Sequence, residues 1–261
     1  MCKLLKVSRS NVYKYKEKRK QQDAYTDVVL AVFRDNRNAY GTRRIKAACA
    51  RLGIILSRRR IGRIIKENNL VSVYTVAQYK PIKSTANDAT TENVLNREFN
   101  QRDPFEAIVS DLTYVRVGNK WHYACKLLDL HNRQIIGYSC GPHKTAELVL
   151  QAFASVKESL QKIHLFHTDR GSEFKNHTID KLLNEFNVQR SLSRKGSPYD
   201  NAVAEATFKT IKMELVYQKR FDSLDDLKRE MGAYIWWYNH QRLHSTLGYI
   251  PPVEYVVKVF L

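Results

Sequence analysis

Three strand-like runs in close succession limit the architectures open to this chain. "FEAIVSDLTYVRV" runs to a turn at Gly118-Asn119, "KWHYACKLLDL" follows and turns near Asn132, and "QIIGYSC" comes next. The connections are too short for crossovers, so the three strands should form an antiparallel meander. Downstream, "KTAELVLQAFASVKESL" reads as an amphipathic helix and "KIHLFHT" as a fourth strand. A helix over roughly 177–187, a short strand "VQRSL" and a long helix from about 200 to 218 complete the pattern. Helices alternating with strands after a meander predict an α/β fold, a mixed sheet covered on both faces.

The region before this unit has a different composition. The chain of 261 residues carries a formal net charge of +18, and residues 1–83 hold 21 Lys/Arg against 5 Asp/Glu while residues 84–261 hold 23 against 21. A polyanion such as nucleic acid is the partner such a charge suits. The opening "CKLLKVSRSNVYKYKEKRK" reads as a short helix, a turn at Val7 and a second helix capped by Ser8, half of a helix-turn-helix. Further on, Ile45, Ala48, Cys49 and Leu52 recur at helical spacing, with Gly53 placed to end the helix. Ser57 then caps a helix in which Ile61, Ile64 and Ile65 alternate with Arg58, Arg59, Arg60, Arg63 and Lys66. A solvated basic face is the plain alternative; contact with DNA phosphates, shared with Arg43 and Arg44, is the functional one, giving affinity without sequence choice. Residues 74–103 are polar, broken by Pro81 and aperiodic. The expected division is a small basic all-helical DNA-binding region over 1–73, a linker over 74–103, an α/β core over 104–221, and a C-terminal helix and tail over 222–261.

Several classes fall away. Cys2, Cys49, Cys125 and Cys140 form no C-x-x-C pair, so they read as reduced, buried thiols. No apolar run approaches the roughly 18 residues of a membrane span, "MCKLLKVSRS" lacks a signal-peptide core, and the expected location is the cytoplasm. No phosphate-binding G-x-x-x-x-G-K-[ST] loop occurs. A serine or tyrosine recombinase would suit the charge, but 15 tyrosines make any one of them uninformative.

Three acids are candidates for chemistry, each weak evidence alone. Asp111 lies mid-strand, on one face with Ala107, Val109, Thr113 and Val115. A carboxylate taken from water there needs a cation, a metal or an opening to solvent. Asp169 follows the apolar "IHLF" at the C-terminal end of a strand, where open α/β sheets place functional groups, and Gly171 frees the chain to turn away. Capping of the next helix is the competing reading. Glu205 shares a polar helix stripe with Asn201, Lys209 and Lys212, beside an apolar stripe of Ala204, Phe208, Ile211 and Leu215. A solvated face with a Glu205–Lys209 ion pair is its bland alternative. Glu173 and Asp129 are further acids nearby, and spacing alone does not exclude Glu173 as a third ligand.

Together the three make an Asp, Asp, Glu set with 35 residues between Asp169 and Glu205, and a lysine, Lys212, seven positions later. With "DLTYV", "HTDRGSEF", "SPYDNAVAEATFKTIKMEL" and "YNHQRLHSTLGYIPPVEY", the chain resembles the catalytic subunit of bacterial insertion-sequence DDE transposases, in the retroviral-integrase superfamily. "YGTRRI" to "ENNL" resembles the helical domain that precedes the core in that group. Leu112, Val115 and "ATF" depart from the usual pattern without touching a metal-binding oxygen. His240 and His244 have no C-x-x-C partner, so the resemblance does not extend to a zinc domain.

The resemblance implies an RNase H-like core in which Asp111, Asp169 and Glu205 are catalytic and bind two Mg²⁺ ions, or Mn²⁺ in their place. It implies water-driven release of a 3′-OH at an element end, then attack of that hydroxyl on a phosphodiester, with Lys212, and Lys209 beside it, against the DNA end. Expected partners are element-end and target DNA, further copies of the chain on that DNA and an upstream-frame fusion segment, with no membrane, in the bacterial nucleoid. Asn201 would orient a ligand or cap its helix, and Asp200 would open that helix. His167 is expected to be a satisfied core histidine. Tyr234, Trp236, Trp237, Tyr238, Arg242 and His244 would stack on DNA or pack in the core. A DNA-binding regulator that has lost catalysis is the alternative function.

Overall fold

The computed structural model describes residues 8–10, 22–75, 93–100, 102–194 and 198–259. The chain divides into two compact units, Met1–Val76 and Ala77–Leu261. The expected helix pair at 2–20 lies, but for residues 8–10, outside the described residues, as do Cys2 and most of the expected linker.

The first unit contains α1 (Thr26–Asp35), α2 (Thr42–Arg51) and α3 (Arg58–Glu67). Ser57 caps α3 by accepting the Arg60 N–H at 3.2 Å, as its position predicts. Gly53, at φ +77°, turns the chain out of α2. Ile45, Cys49, Ile61 and Ile64 are buried against Val29, Val32 and Phe33 of α1. Leu52, counted above in the apolar stripe, sits at the C-cap of α2 and is exposed. α1 itself was not anticipated, because its continuous "VVLAVF" hides the buried positions 29, 32 and 33.

The second unit is built on a five-stranded sheet in the order β3-β2-β1-β4-β5. β1 (Ala107–Val117), β2 (Lys120–Asp129) and β3 (Ile135–Gly141) form the predicted antiparallel meander. β4 (Leu165–Thr168) pairs parallel with β1, and β5 (Gln189–Leu192) parallel with β4. α4 (Ala146–Ala154) and α5 (His177–Glu185) cover one face over Ile108, Cys125, Leu127 and Phe166. α4 lies so close to β3 that a Cβ at Gly137 would meet the Ala152 carbonyl oxygen at 2.5 Å.

α6 (Ala202–Ile211) packs on β1 and α7 (Leu224–His240) on β3, covering the second face. A π-helical turn, Lys212–Val216, extends α6. α7 and α8 (Pro252–Val259) belong to the same compact unit as the sheet. Tyr234, Trp237, Tyr238, Arg242 and His244 are buried, which settles them as core residues, while Trp236 is exposed. Of the expected linker, the described end is fixed to the sheet: Leu95 is buried, and the Val94 and Leu95 N–H groups donate to Ser191 Oγ at 3.0 and 3.2 Å. Cys49, Cys125 and Cys140 are free and buried. No helix among the described residues is long and apolar enough to cross a membrane.

Candidate active site

Strand pairing sets the first two acids beside each other. β1 and β4 run parallel with Val109 opposite His167, so Asp111 and Asp169 each lie two residues beyond that pair on neighbouring strands. Adjacent strands are about 4.8 Å apart. His167 is buried between the hydroxyls of Ser191 and Ser193, at 2.8 and 3.1 Å from its two ring nitrogens. Burial holds its pKa down to about 4, so it is a satisfied neutral core residue. Asp169 accepts the Gly171 N–H at 3.0 Å, which turns the chain sharply after the strand.

The third acid arrives on α6, which two buried hydrogen bonds dock onto the meander. Asn201 Nδ2 donates to the Ser110 carbonyl at 3.2 Å, immediately before Asp111. Lys126 Nζ donates to the Ala204 carbonyl at 3.0 Å, immediately before Glu205. Lys126 is the cross-strand partner of Asp111, and its ammonium also stands 3.7 Å from the centre of the Phe208 ring. Lys126 was not singled out from the sequence. The signal was present in "ACKLLDL", where a lysine stands inside a buried strand and raises the same question as Asp111.

The charges respond to one another. Burial pushes the Asp111 carboxyl up; Lys126 opposes that, and the negative charges of Asp169 and Glu205 add to it. Glu205 is raised by burial and then by Asp169. Asp169 is raised chiefly by burial, with the Gly171 N–H pulling it down, Glu173 pushing it up and Lys144 pulling it down. Glu173 is buried, ion-paired with Lys144 at 2.9 Å, and its Oε2 has no partner. A Cβ at Gly171 would meet that carboxylate, so a larger residue there would displace the Glu173 side chain. Among the described residues no three of His, Cys, Asp and Glu are closed into a metal-holding group. The acids lie in electrostatic reach of one another, and burial leaves both Asp111 and Asp169 raised despite the opposing pull of Lys126 on the first and Lys144 on the second.

The other candidates separate. Lys212 caps the end of α6 with its ammonium 4.2 Å from the Tyr114 ring centre, and its charge is felt by Asp111. Lys209 is exposed, and no Glu205–Lys209 ion pair forms among the described residues. Asp200 lies in a short 3-10 turn, Pro198–Asn201, that opens α6 as expected, and its carboxylate is fully buried, accepting from Arg97 Nε at 2.6 Å and the Arg194 N–H at 2.9 Å. Asp129 accepts the Phe105 and His131 N–H groups. In the helical unit, Arg60 is bound to both Asp23 oxygens at 2.8 Å and lies over Tyr25, while Arg63 reaches Asp23 at 2.9 Å. Arg43, Arg58 and Arg59 are exposed, and Arg44 lies over Tyr40.

An HTH-like domain family matches residues 20–78, and two families described as integrase core domain match residues 101–198 and 186–252. The insertion element IS600 uncharacterized 31 kDa protein of Shigella sonnei is 33% identical over 98% of this chain and 97% of its own length. The chain belongs to the DDE transposase and retroviral-integrase superfamily. Within it, the putative transposase InsK for insertion sequence element IS150 of Escherichia coli (strain K12) is 28% identical over 98% of this chain and 92% of its own. The transposase for insertion sequence element IS904 of Lactococcus lactis subsp. lactis (strain IL1403) is 29% identical over 90% and 94%. The HTLV-2 integrase catalytic core domain aligns at 15% identity with a TM-score of 0.47, over 58% of this chain and 95% of that one. The RNase H-like order β3-β2-β1-β4-β5 is the superfamily's mixed sheet.

Proposed function

We propose that this superfamily member is a transposase that binds the ends of an insertion element, cuts a DNA strand there and joins the freed 3′-OH to target DNA. The observation that supports the reading is the docking of α6: Asn201 on Ser110 and Lys126 on Ala204 hold the helix that carries Glu205 on the meander, and the Asp111 carboxyl responds to both Asp169 and Glu205.

An all-oxygen donor set of crowded carboxylates fits a hard divalent cation, whose remaining positions phosphate and water fill. Asp111, Asp169 and Glu205 would hold Mg²⁺ or Mn²⁺, two per site, supplying Lewis acidity toward the phosphate under attack. The chain's own residues do the rest. Lys126 opposes the effect of burial on Asp111, and Lys144, paired with Glu173, does so more weakly for Asp169. Lys212 presents a cation to the DNA end beside the acids, with Lys209 further out on the helix. Water serves as the first nucleophile and the freed hydroxyl as the second, so no covalent protein–DNA link forms.

In this reading residues 1–73 bind DNA, with Arg43, Arg44, Arg58, Arg59, Arg60 and Arg63 as the basic set, and residues 104–221 carry the chemistry. The chain works as a homo-oligomer on element and target DNA in the bacterial cytoplasm, joined to an upstream-frame segment. The incompletely closed carboxylate group supports one second reading, a DNA-binding regulator without catalysis. Wild-type protein incubated with labelled element-end DNA and Mg²⁺ or Mn²⁺ separates them. Strand cleavage is expected; tight binding without cleavage would favour the regulator.

A further inference from the structure

β4 pairs with β1 only over Ala107–Val109, so the distal half of β1 lacks a strand on that side. The chain leaving the π-helical turn returns there, held by a parallel bridge between Val117 and Phe221 and by the Gly118 N–H to the Phe221 carbonyl at 2.8 Å. Between this segment and the β1–β2 turn lies a groove of about 550 Å³.

Its walls combine two chemistries. Tyr114, Trp121 and Tyr217 line it with 49%, 52% and 55% of their surface exposed, and they are three of the five exposed large aromatics among the described residues. Tyr114 and Trp121 meet edge to face at 5.2 Å, which fixes their planes. Arg116, Lys212, Lys219 and Arg220 supply positive charge against a single acid, Asp222. Lys219 is engaged by Glu230 and Asp226, while Arg116 and Arg220 form no ion pair among the described residues. Exposed aromatic planes beside cations are what unpaired bases and their phosphates need, because every base has a face that stacks. Tyr114 is three residues along β1 from Asp111, about 10 Å, with its side chain on the other face of the strand. Lys212 connects the two, its ammonium 4.2 Å from the Tyr114 ring centre and its pKa, lowered by burial, pulled back up by the charge of Asp111.

We propose that this groove is a stacking site for an unpaired stretch of DNA strand running from the carboxylates. The proposal rests on the transposase reading above and adds where the strand lies beyond the cut.

The test is binding of a 2-aminopurine-labelled single-stranded oligonucleotide to the full chain in EDTA, where no cleavage occurs, alongside a duplex of the same sequence. Trp121→Ala and Tyr217→Ala should each weaken single-strand binding about tenfold and relieve fluorescence quenching. Duplex binding should change less, and Trp121→Phe and Tyr217→Phe should restore both signals. Unchanged affinity and quenching in both alanine variants would overturn the proposal, as would equal losses for duplex and single strand, which would mean phosphate contact alone. A change confined to the oligomeric state by sedimentation would overturn it in favour of a second copy in the groove. Stacking in EDTA by a protein that never cuts DNA would retain the groove and remove the catalytic reading.

Discussion

Lys126 faces Asp111 across the β1/β2 ladder and donates to the carbonyl of the residue before Glu205. One buried cation thus offsets the charge of the strand acid and docks the helix that delivers the third carboxylate. Burial pushes the Lys126 pKa down while Asp111 pulls it up, the mark of a charge kept in place by its partner. Lys126→Met should cost about 3 kcal/mol, because Asp111 is left unpaired. Carboxylate NMR of the metal-free chain should show Asp111 titrating at higher pH than in wild type. An unchanged Asp111 titration would remove Lys126 from the site.

Farther along the same helix, Glu214 in the π-helical turn accepts Arg242 Nε at 2.9 Å and Nη2 at 2.8 Å, and Tyr234 Oη at 2.7 Å, all buried. This network ties the end of the Glu205 helix to α7 and the chain after it. Arg242→Ala strands a buried carboxylate and should cost about 3–5 kcal/mol in urea unfolding. Tyr234→Phe, which removes a single hydrogen bond, should cost about 1–2 kcal/mol. Equal effects of the two would contradict a charge-dominated network.

The helical unit should be acid-sensitive at Asp23. Hydrogen bonding from Arg60 holds this carboxyl well below the usual carboxylate range, with the Tyr25 N–H and Arg63 assisting. A depressed folded-state pKa favours the ionised form in the folded chain. Its stabilisation is therefore complete above the ordinary value of about 4 and fades as pH falls toward the folded value. Protection factors for amide exchange at residues 26–67 of the full chain should fall over that range. Asp23→Asn should speed exchange at neutral pH and flatten the acid dependence.

The same ion pairs divide the basic helix into two roles. Arg58 and Arg59 are exposed, whereas Arg60 and Arg63 are engaged with Asp23. Replacing Arg58 and Arg59 by Gln should reduce the slope of log K against log salt for DNA by about 1.8. Arg60→Gln should instead appear first as lost stability. An unchanged slope in the double variant would take this helix off the DNA.

The sheet was legible because its strands announce themselves twice, by alternating burial and by turn residues such as Gly118-Asn119. The position of Asp169 at the end of a strand was legible from the apolar run before it, and His167 was legible as a core histidine that needs only hydroxyls. What stayed hidden was tertiary pairing. Asp200 reads as a helix-opening acid, but nothing in the sequence shows its burial against Arg97, more than a hundred residues away. Nor does anything in the sequence show that Asp23 engages Arg60. The π-helical turn after Lys212 leaves no mark in a stripe of Ala204, Phe208, Ile211 and Leu215 that runs on unbroken.

The cooperation of the three acids is tested most directly by cleavage of labelled element-end DNA in Mg²⁺ by Asp111→Asn, Asp169→Asn and Glu205→Gln, with DNA affinity measured in parallel. Each substitution should abolish cutting while leaving affinity close to wild type. Retained cutting in any one of them would remove that residue from the metal site and contradict a three-carboxylate mechanism.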